Sequence, residues 1–513
     1  MRDTDGLKTT LTLGLVNRQG PDLSLDICLQ VALPLPEQDG DLPGRIEAAV
    51  HQVGLELQRR LFKALIERAD RELVLQRRHG KAGRGIQRRG ARPFTFKTIS
   101  GEVTVQRSRI SHKHDGSIEI PSASAWGTPH QLAITPNLRD AACDQMRGHS
   151  AGKSRVAIGE AAGDEDLLGR STIIEIVHRD GGRLVAAQRQ RAEAILADAP
   201  EAQRVLLGVP APEALAEELD DAPTCDDAEE AGAEADWERA QAEWAATGLP
   251  GGEPAGPVAL DEPRQVDQAL VIVEPDEVVT RAQATTGRKT VWTYTAVVMV
   301  AEFRYAIAEA TAEGLWLEVG ALLIELGVPR GDRRLLVLGD GAGWIRAWYE
   351  GLGIASRGMI VCWWHLRKRC YEQMSKAGGP KDRRHALEEG LLGRLWEGDV
   401  AAAVSLLRRA LEWVRTPKAI EELIGYLEKR RGLIPDYRER RRAGLWIAST
   451  RVEKFNDWAV SGRCKGRGMS WSSPGVLALA ALEVARRDGE LDDWRLHHEL
   501  PERTLPESAR KVA

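Results

Sequence analysis

No uninterrupted apolar run in this 513-residue chain approaches the roughly 18 residues that a membrane span requires, so a membrane-embedded protein is not expected. The first residues, Met1 to Gln19, alternate polar and apolar and lack the basic-then-apolar pattern of a secretory signal. The expectation is a cytoplasmic protein. Cysteine is scarce: Cys28, Cys143, Cys225, Cys362, Cys370 and Cys464 lie far apart and form no CxxC pair. That spacing argues against a disulfide framework and a zinc ribbon, and leaves reduced thiols as the simpler account. No internal repeat is evident, so a solenoid is not expected. Excess positive charge is missing too, the net charge being −5.

That total misleads until it is divided by segment. Residues 212–239 carry twelve Asp or Glu against one Arg, so the rest of the chain is net positive. Residues 59–113 carry sixteen Lys or Arg against four acids. Phosphate contacts act within a Debye length of roughly 8–10 Å, so local patches outweigh the total. Taken alone, such a run equally describes a solvated surface.

What is present is the composition of an ordinary globular protein, 43% hydrophobic and 29% charged, long enough for two or three domains. Residues 1–130 form a first region. Its opening is sparse in signals and broken by Pro34, Pro36 and Pro43, but Val50, Val53, Leu57, Leu61, Leu65 and Leu73 recur at the spacing of an amphipathic basic helix. An Arg/Gly-rich stretch at 80–90 leads into two alternating segments, Pro93–Ile99 and Glu102–Ile110, separated by Ser100-Gly101 as in a hairpin. Residues 131–205 read as helices, with a helix-turn-helix or a plain helical connector both open. Residues 206–265 turn acidic and Ala-rich and read as a linker that cannot bury enough apolar surface to order itself.

The texture changes again from 266 to 378. Apolar runs at 269–273, 291–301 and 303–308, a helix at 315–326, a run at 335–338, a helix at 344–352, a run at 359–362 and a helix at 366–374 give an RNase H-like order. Continuous apolar strands suit a sheet covered on both faces. Residues 379–445 are helical in pattern, and 446–513 carry a last core helix beginning near Thr450 and a tail. The expected fold class is α/β: an RNase H-like catalytic core with a large all-helical insertion, plus an N-terminal α+β DNA-binding region.

Asp340 is the best-placed acid, ending the run Leu335–Leu338 just after Gly339 and before Gly341-Ala-Gly343. Ligand sites in α/β sheets lie beyond the carboxyl ends of strands, although an Asp there can simply cap a helix. Asp276 closes the first run, with Glu274 and Glu277 as rivals in the same loop. Glu453 stands on the helix near Thr450, where Thr450-x-x-Glu453 is also a capping box. Converging carboxylates repel and raise one another's pKa values, and two magnesium (or manganese) ions would relieve that repulsion while aligning an in-line phosphoryl transfer. His365, at C-x-x-H spacing from Cys362, has no second pair to make a zinc site and is either structural or a contact to a scissile phosphate or an acid.

Leu338-Gly-Asp-Gly-Ala-Gly-Trp-Ile345, Cys362-Trp-Trp-His-Leu-Arg-Lys-Arg-Cys370, Ser449-Thr-Arg-Val-Glu-Lys-Phe-Asn456 and the basic tail Arg463 to Ser472 together resemble bacterial insertion-sequence transposases of the Mutator-like superfamily. The resemblance covers about 266–495 and, more faintly, 80–112. It implies a DDE transposase with catalytic, metal-holding Asp276, Asp340 and Glu453, and with His365 in the active site. It also implies cleavage at transposon 3′ ends followed by transfer of the freed 3′-hydroxyl to target DNA, and assembly as a dimer or higher oligomer on DNA. Arg367, Lys368, Arg369, Lys454, Arg463, Lys465 and Arg467 are expected to meet DNA, as are Lys429–Arg431 and Arg438–Arg442. Trp446 is either core or a platform for an unpaired base. The rival readings are an RNase H-like nuclease that cuts without joining, and a domesticated DNA-binding regulator.

Overall fold

The computed structural model describes residues 8–17, 24–32, 42–79, 85–128, 132–208, 269–466, 469–500, 502–503 and 505. The acidic segment 209–268, and with it most of the expected linker, lies outside the described residues, as does Arg467. The chain is mixed α/β and divides into two compact units, 1–180 and 181–513.

In the first unit, β1 (Lys8–Asn17) pairs antiparallel with β2 (Ser24–Ala32). The sparse signals of the opening therefore include a two-stranded ladder that the sequence reading did not anticipate. Helix Leu42–Arg78 follows, wider than the expected periodic stretch. Strands β3 (Ile86–Thr98), β4 (Gly101–His112), β5 (Ile118–Glu119) and β6 (Leu132–Ile134) form a sheet in the order β5-β4-β3-β6. Phe94, Phe96, Val103 and Val105 alternate onto its buried face, where Phe62 and Ile66 of the long helix pack. Beneath them Asp70 is satisfied by the Ser108 amide at 2.8 Å and the Ser122 hydroxyl at 2.6 Å, so this buried acid is fully partnered. Helices Pro136–Gly148 and Ala151–Ala162 are joined by His149 and Ser150.

The second unit centres on a five-stranded sheet, ordered β11-β10-β7-β8-β9. Strands β7 (Leu270–Arg281), β8 (Thr290–Val300) and β9 (Phe303–Glu309) form an antiparallel meander. Strands β10 (Arg334–Gly339) and β11 (Arg357–Val361) add in parallel on the far side of β7. Helix Ala312–Glu325 follows β9, helix Gly343–Gly351 joins β10 to β11, and helix Trp363–Ala377 follows β11. The core holds Val271, Val273, Val298, Val337, Trp316 and Trp348, the two indoles stacked at 3.9 Å between centroids. Residues Ala199 and Leu207 belong to the same core, so this unit begins well upstream of residue 266.

Helices Lys381–Trp396, Val400–Ala410, Pro417–Lys429 and Tyr437–Arg442 form a separate core with the helix after β11, around Trp363, Trp396 and Tyr437. Helix Thr450–Asn456 passes directly into a π-helical turn, Asp457–Ser461. Helix Ser473–Arg487 then packs on the sheet. Among the described residues no helix is long and apolar enough to cross a membrane. Cys143, Cys362, Cys370 and Cys464 are buried free thiols.

Candidate functional site

Strand β7 runs on to Arg281, so Asp276 is not in a loop, as the sequence suggested, but inside the strand and opposite Thr295 of β8. Pro275 is accommodated there because parallel pairing with β10 reaches only to Val273, leaving that edge of β7 without a ladder partner. The same register aligns Val337 with Val273. Three positions further along the two neighbouring strands stand Asp340 and Asp276. Asp340 leaves the end of β10 and turns at once: its Oδ1 accepts from the Ala342 amide at 2.7 Å, and Gly341 follows at φ +75°.

The helical segment braces this turn. Tyr426 donates its hydroxyl to the Asp340 carbonyl at 3.0 Å, and Arg430 Nε donates to the Gly341 carbonyl at 2.9 Å. A Cβ at position 341 would lie 2.9 Å from that same Nε, so the turn requires glycine for space as well as for φ.

Glu453 reaches the site from the far end of the chain. Its helix has no side-chain cap of its own: Ser449 is the N-cap, and Glu453 does not fold back to form the capping box. The cap comes instead from Glu274 of β7, whose Oε2 accepts from the Arg451 amide at 2.9 Å and the Val452 amide at 3.1 Å. Glu274 is therefore a positioning residue rather than a rival to Asp276. Burial pushes its carboxyl up to about 7, against the pull of Arg451 and the two amides. One helical turn beyond Glu453, Asn456 donates to Asp276 Oδ2 at 2.7 Å and accepts from the Thr295 hydroxyl at 2.7 Å.

One ligand atom from each of Asp276, His365 and Glu453 lies within 4.8 Å of the other two. His365 Nε2 is 2.9 Å from Glu453 Oε1. Asp340 stands beside this group without joining it at that distance. Glu277 points to the other face of β7, where the Trp344 indole donates to it at 3.0 Å.

The electrostatics are those of crowded acids. Burial pushes the Asp276 carboxyl up to about 7; His365 opposes the shift, while Glu453 and Asp340 add to it. Burial, then Asp340 and Asp276, hold Glu277 well above the usual carboxylate range. Burial alone would depress the His365 imidazole, but Cys362, Glu453 and Asp276 together keep it well above its ordinary value. Burial would raise Glu453, but His365, Lys368 and Lys465 hold it below. Two carboxylate oxygens and an imidazole nitrogen converging at one point, with a further acid alongside, suit a divalent cation, which would cancel the repulsion.

Several expected DNA contacts fall elsewhere. Arg367 is buried on the core stripe Trp363, Leu366, Cys370 and Met374, with its guanidinium bonded to the Tyr371 hydroxyl at 3.2 Å. Position 367 is one turn from 363, so helical spacing places it inside. Arg463 is also buried, 5.0 Å from the Trp471 ring. Neither can present charge to a phosphate. Arg369 is half-buried and faces Glu372. Arg430 is engaged at Gly341, Arg438 with Glu397 and Arg440 with the Trp446 carbonyl. Lys368, Lys454 and Lys465 are exposed. Trp446 is half-buried, with the Arg451 guanidinium 3.4 Å over its ring.

Cys362 lies against His365, whose imidazole pKa it helps hold up. Its Sγ also accepts from the Ser449 amide at 3.2 Å, tying the end of β11 to the residue that opens the Glu453 helix. Asn456 and Glu274 were the functional residues that sequence reasoning missed or misassigned. Asn456 lies three positions after Glu453 and so shares its helix face.

No curated protein matches the chain. Residues 287–499 match the sequence profile of the Uncharacterised protein family (UPF0236), a stretch that takes in Asp340, His365 and Glu453 and leaves out Asp276.

Proposed function

We propose that the chain is a metal-dependent DNA phosphoryl-transfer enzyme, a DDE transposase of the Mutator-like type built on an RNase H-like core. The observation that carries this reading is the meeting of Asp276, His365 and Glu453 beside Asp340, from elements spread over 178 positions of chain. The antiparallel meander extended by two parallel strands on the side of β7 supports such a core, with Asp276 on β7, Asp340 just past the end of β10 and Glu453 on a helix packed against β7 and β8.

Asp276 and Glu453, with Asp340 adjoining, would hold magnesium or manganese, and His365 adds a nitrogen donor once its proton leaves. Bound divalent ions stabilise charge on attacking and departing oxygens at phosphorus. The chain's own residues keep that arrangement in place: Asn456 orients Asp276, Glu274 seats the Glu453 helix, and Tyr426 with Arg430 fixes the Asp340 turn. Lys368 and Lys465, exposed next to Glu453, are placed to meet phosphates of the strand being cut. The substrates on this reading are the ends of the mobile element and a target duplex, handled by a dimer or higher oligomer.

The test is an end-cleavage assay with the full chain, magnesium or manganese, and DNA carrying the terminal sequences that flank its gene. Cleavage at 3′ ends is expected, and chelation of the metal stops it. Asp340→Asn and Glu453→Gln each lower the rate by about 10³-fold or more while DNA binding persists. Near wild-type nicking by either variant would sink the assignment. Supplying a pre-cleaved 3′-hydroxyl end and finding no joined product would leave a nuclease in place of a transposase.

A further inference from the structure

The hairpin of the first unit carries a second, separate feature. Strand β3 is exposed from Gln87 to Pro93 and buries alternate side chains only from Phe94 onward, so its first half packs on no core. The register slips there: Arg88 pairs with Ile110 but Ala91 with Ser108, so Arg89 and Gly90 together face Arg109. This is a β-bulge, with Gly90 at φ +89°, and bulges re-aim side chains. Arg89 reaches across to the Ser111 hydroxyl at 3.1 Å. Arg109, Ser111 and Lys113 alternate along β4 and its extension, stepping at intervals of about 6.7 Å on one face. Together with Gln87, His112, Gly116 and Ile118 they line an open groove of ≈ 490 Å³ that contains no acidic side chain.

Arg88, Arg92, Arg109 and Lys113 have no ion-pair partner among the described residues. Lys63, Arg71, Arg78, Lys153 and Arg170 of this unit are exposed and likewise without an ion pair among the described residues. What sets the hairpin apart is the concentration of such cations on one bulged strand pair, while other cations of the unit are neutralised. Arg59 and Arg60 are paired with Glu56, Arg68 with Glu72, Arg77 with Glu119 and Arg155 with Asp166. Concentrated, unneutralised charge on an exposed hairpin costs repulsion and gives nothing back to the fold. A row of donors longer than one anion suits a chain of anions, and arginine forks match phosphate oxygens.

The geometry points to this bulged groove as a docking surface for a nucleic-acid backbone, gripped by Arg89, Arg109 and Lys113 and read without regard to base sequence. The inference rests on the DNA-processing reading above and locates where, outside the acid cluster, the chain holds its duplex. It assigns that role to the hairpin rather than to the long basic helix or a helix-turn-helix.

The experiment measures binding of the full chain to a labelled 30-base-pair duplex of arbitrary sequence over a series of salt concentrations. The triple variant Arg89→Ala, Arg109→Ala, Lys113→Ala is expected to bind about tenfold or more weakly, and to lower the slope of log affinity against log salt by about 3. Arg155→Ala, which removes a paired exposed cation of the same unit, should leave both unchanged. The charge-keeping double variant Arg89→Lys, Arg109→Lys, with Lys113 left in place, should keep the wild-type slope, which separates lost phosphate contacts from a damaged hairpin. Wild-type affinity and slope in the triple alanine variant would overturn the proposal. So would absence of binding by the wild-type chain, or equal, equally groove-dependent binding of polyglutamate, which would make this an acidic-peptide site. Asp340→Asn should bind as the wild type does. Groove-dependent binding without cleavage would retain the groove and remove the catalytic reading; cleavage with groove-independent binding would do the reverse.

Discussion

Asn456 uses both ends of its side-chain amide within the site, donating to Asp276 and accepting from Thr295. Replacing it with alanine leaves the buried Thr295 hydroxyl with only the Asp276 carbonyl, at 3.2 Å, as acceptor and leaves a carboxylate oxygen without its donor. Asn456→Ala should therefore destabilise the fold by about 1–3 kcal/mol in urea unfolding. By freeing Asp276 to rotate, it should also weaken manganese binding by roughly 10–100-fold in calorimetric titration. Unchanged manganese affinity would remove Asn456 from the site. A second residue-scale effect lies away from the chemistry. Burial first, and then Glu309, raise the Glu318 carboxyl from 4.5 to about 8, against Arg503 and Arg191. The folded state keeps a proton that the unfolded chain releases above about pH 4.5. The associated stability is thus complete below that pH and lost as pH rises through about 8. Glu318→Gln should flatten this decline, so that the variant gains on the order of a few kcal/mol relative to wild type between pH 5 and pH 9. Parallel pH profiles for the two proteins would mean that Glu318 is ionised in the native state.

Among elements, the helix Thr450–Asn456 is too short to persist by its own hydrogen bonds. Its opening amides are taken up by Glu274, and its one carboxyl side chain, Glu453, thereby faces Asp276 and His365. Glu274→Ala should cost about 1–3 kcal/mol and lower cleavage, whereas Glu274→Gln, which keeps an acceptor, should cost less. Equal stability of wild type and Glu274→Ala would show that the helix is seated by packing alone. This cap also marks where sequence reading stops. Periodicity located β8 to β11 and the helices between them to within a few residues, but it ended β7 eight residues early and left helix Ser473–Arg487 inside a tail. A strand followed by Gly339, Asp340 and Gly341 announced a turn with an acid in it. Arg367 could have been read as buried from the spacing of Trp363, Leu366 and Cys370, but the run Arg367-Lys368-Arg369 drew attention to charge instead. Nothing local could reveal that a carboxylate at 274 receives amides at 451 and 452, or that His365 meets Glu453. Those contacts depend on sheet register and loop path, which short-range pattern does not encode. Strands β1 and β2 were missed for a simpler reason: Pro34, Pro36 and Pro43 were taken as breaking the whole opening, although all three follow β2 and Pro43 stands in the first turn of the long helix.

At the scale of the molecule, the compact unit that carries the site starts before the acidic segment. Arg189 forms a bidentate pair with Glu309, which is fully buried, and Arg191 pairs with Glu490 at 2.7 Å. A fragment beginning at residue 269 would strand both acids and lose Ala199 and Leu207 from the core. Stranding a buried charge costs about 3–5 kcal/mol. Residues 181–513 should give a cooperative melt, and residues 269–513 should melt at distinctly lower temperature or aggregate. Equal melting temperatures would place the true boundary at the acidic segment. The brace from Tyr426 and Arg430 to the Asp340 turn has a consequence of the same reach. The block of helices between β11 and the Glu453 helix acts as the keystone of the acid-bearing rim: excising it, or exchanging it for another spacer of equal length, would leave all three acids in the chain and take away the scaffold that aims one of them.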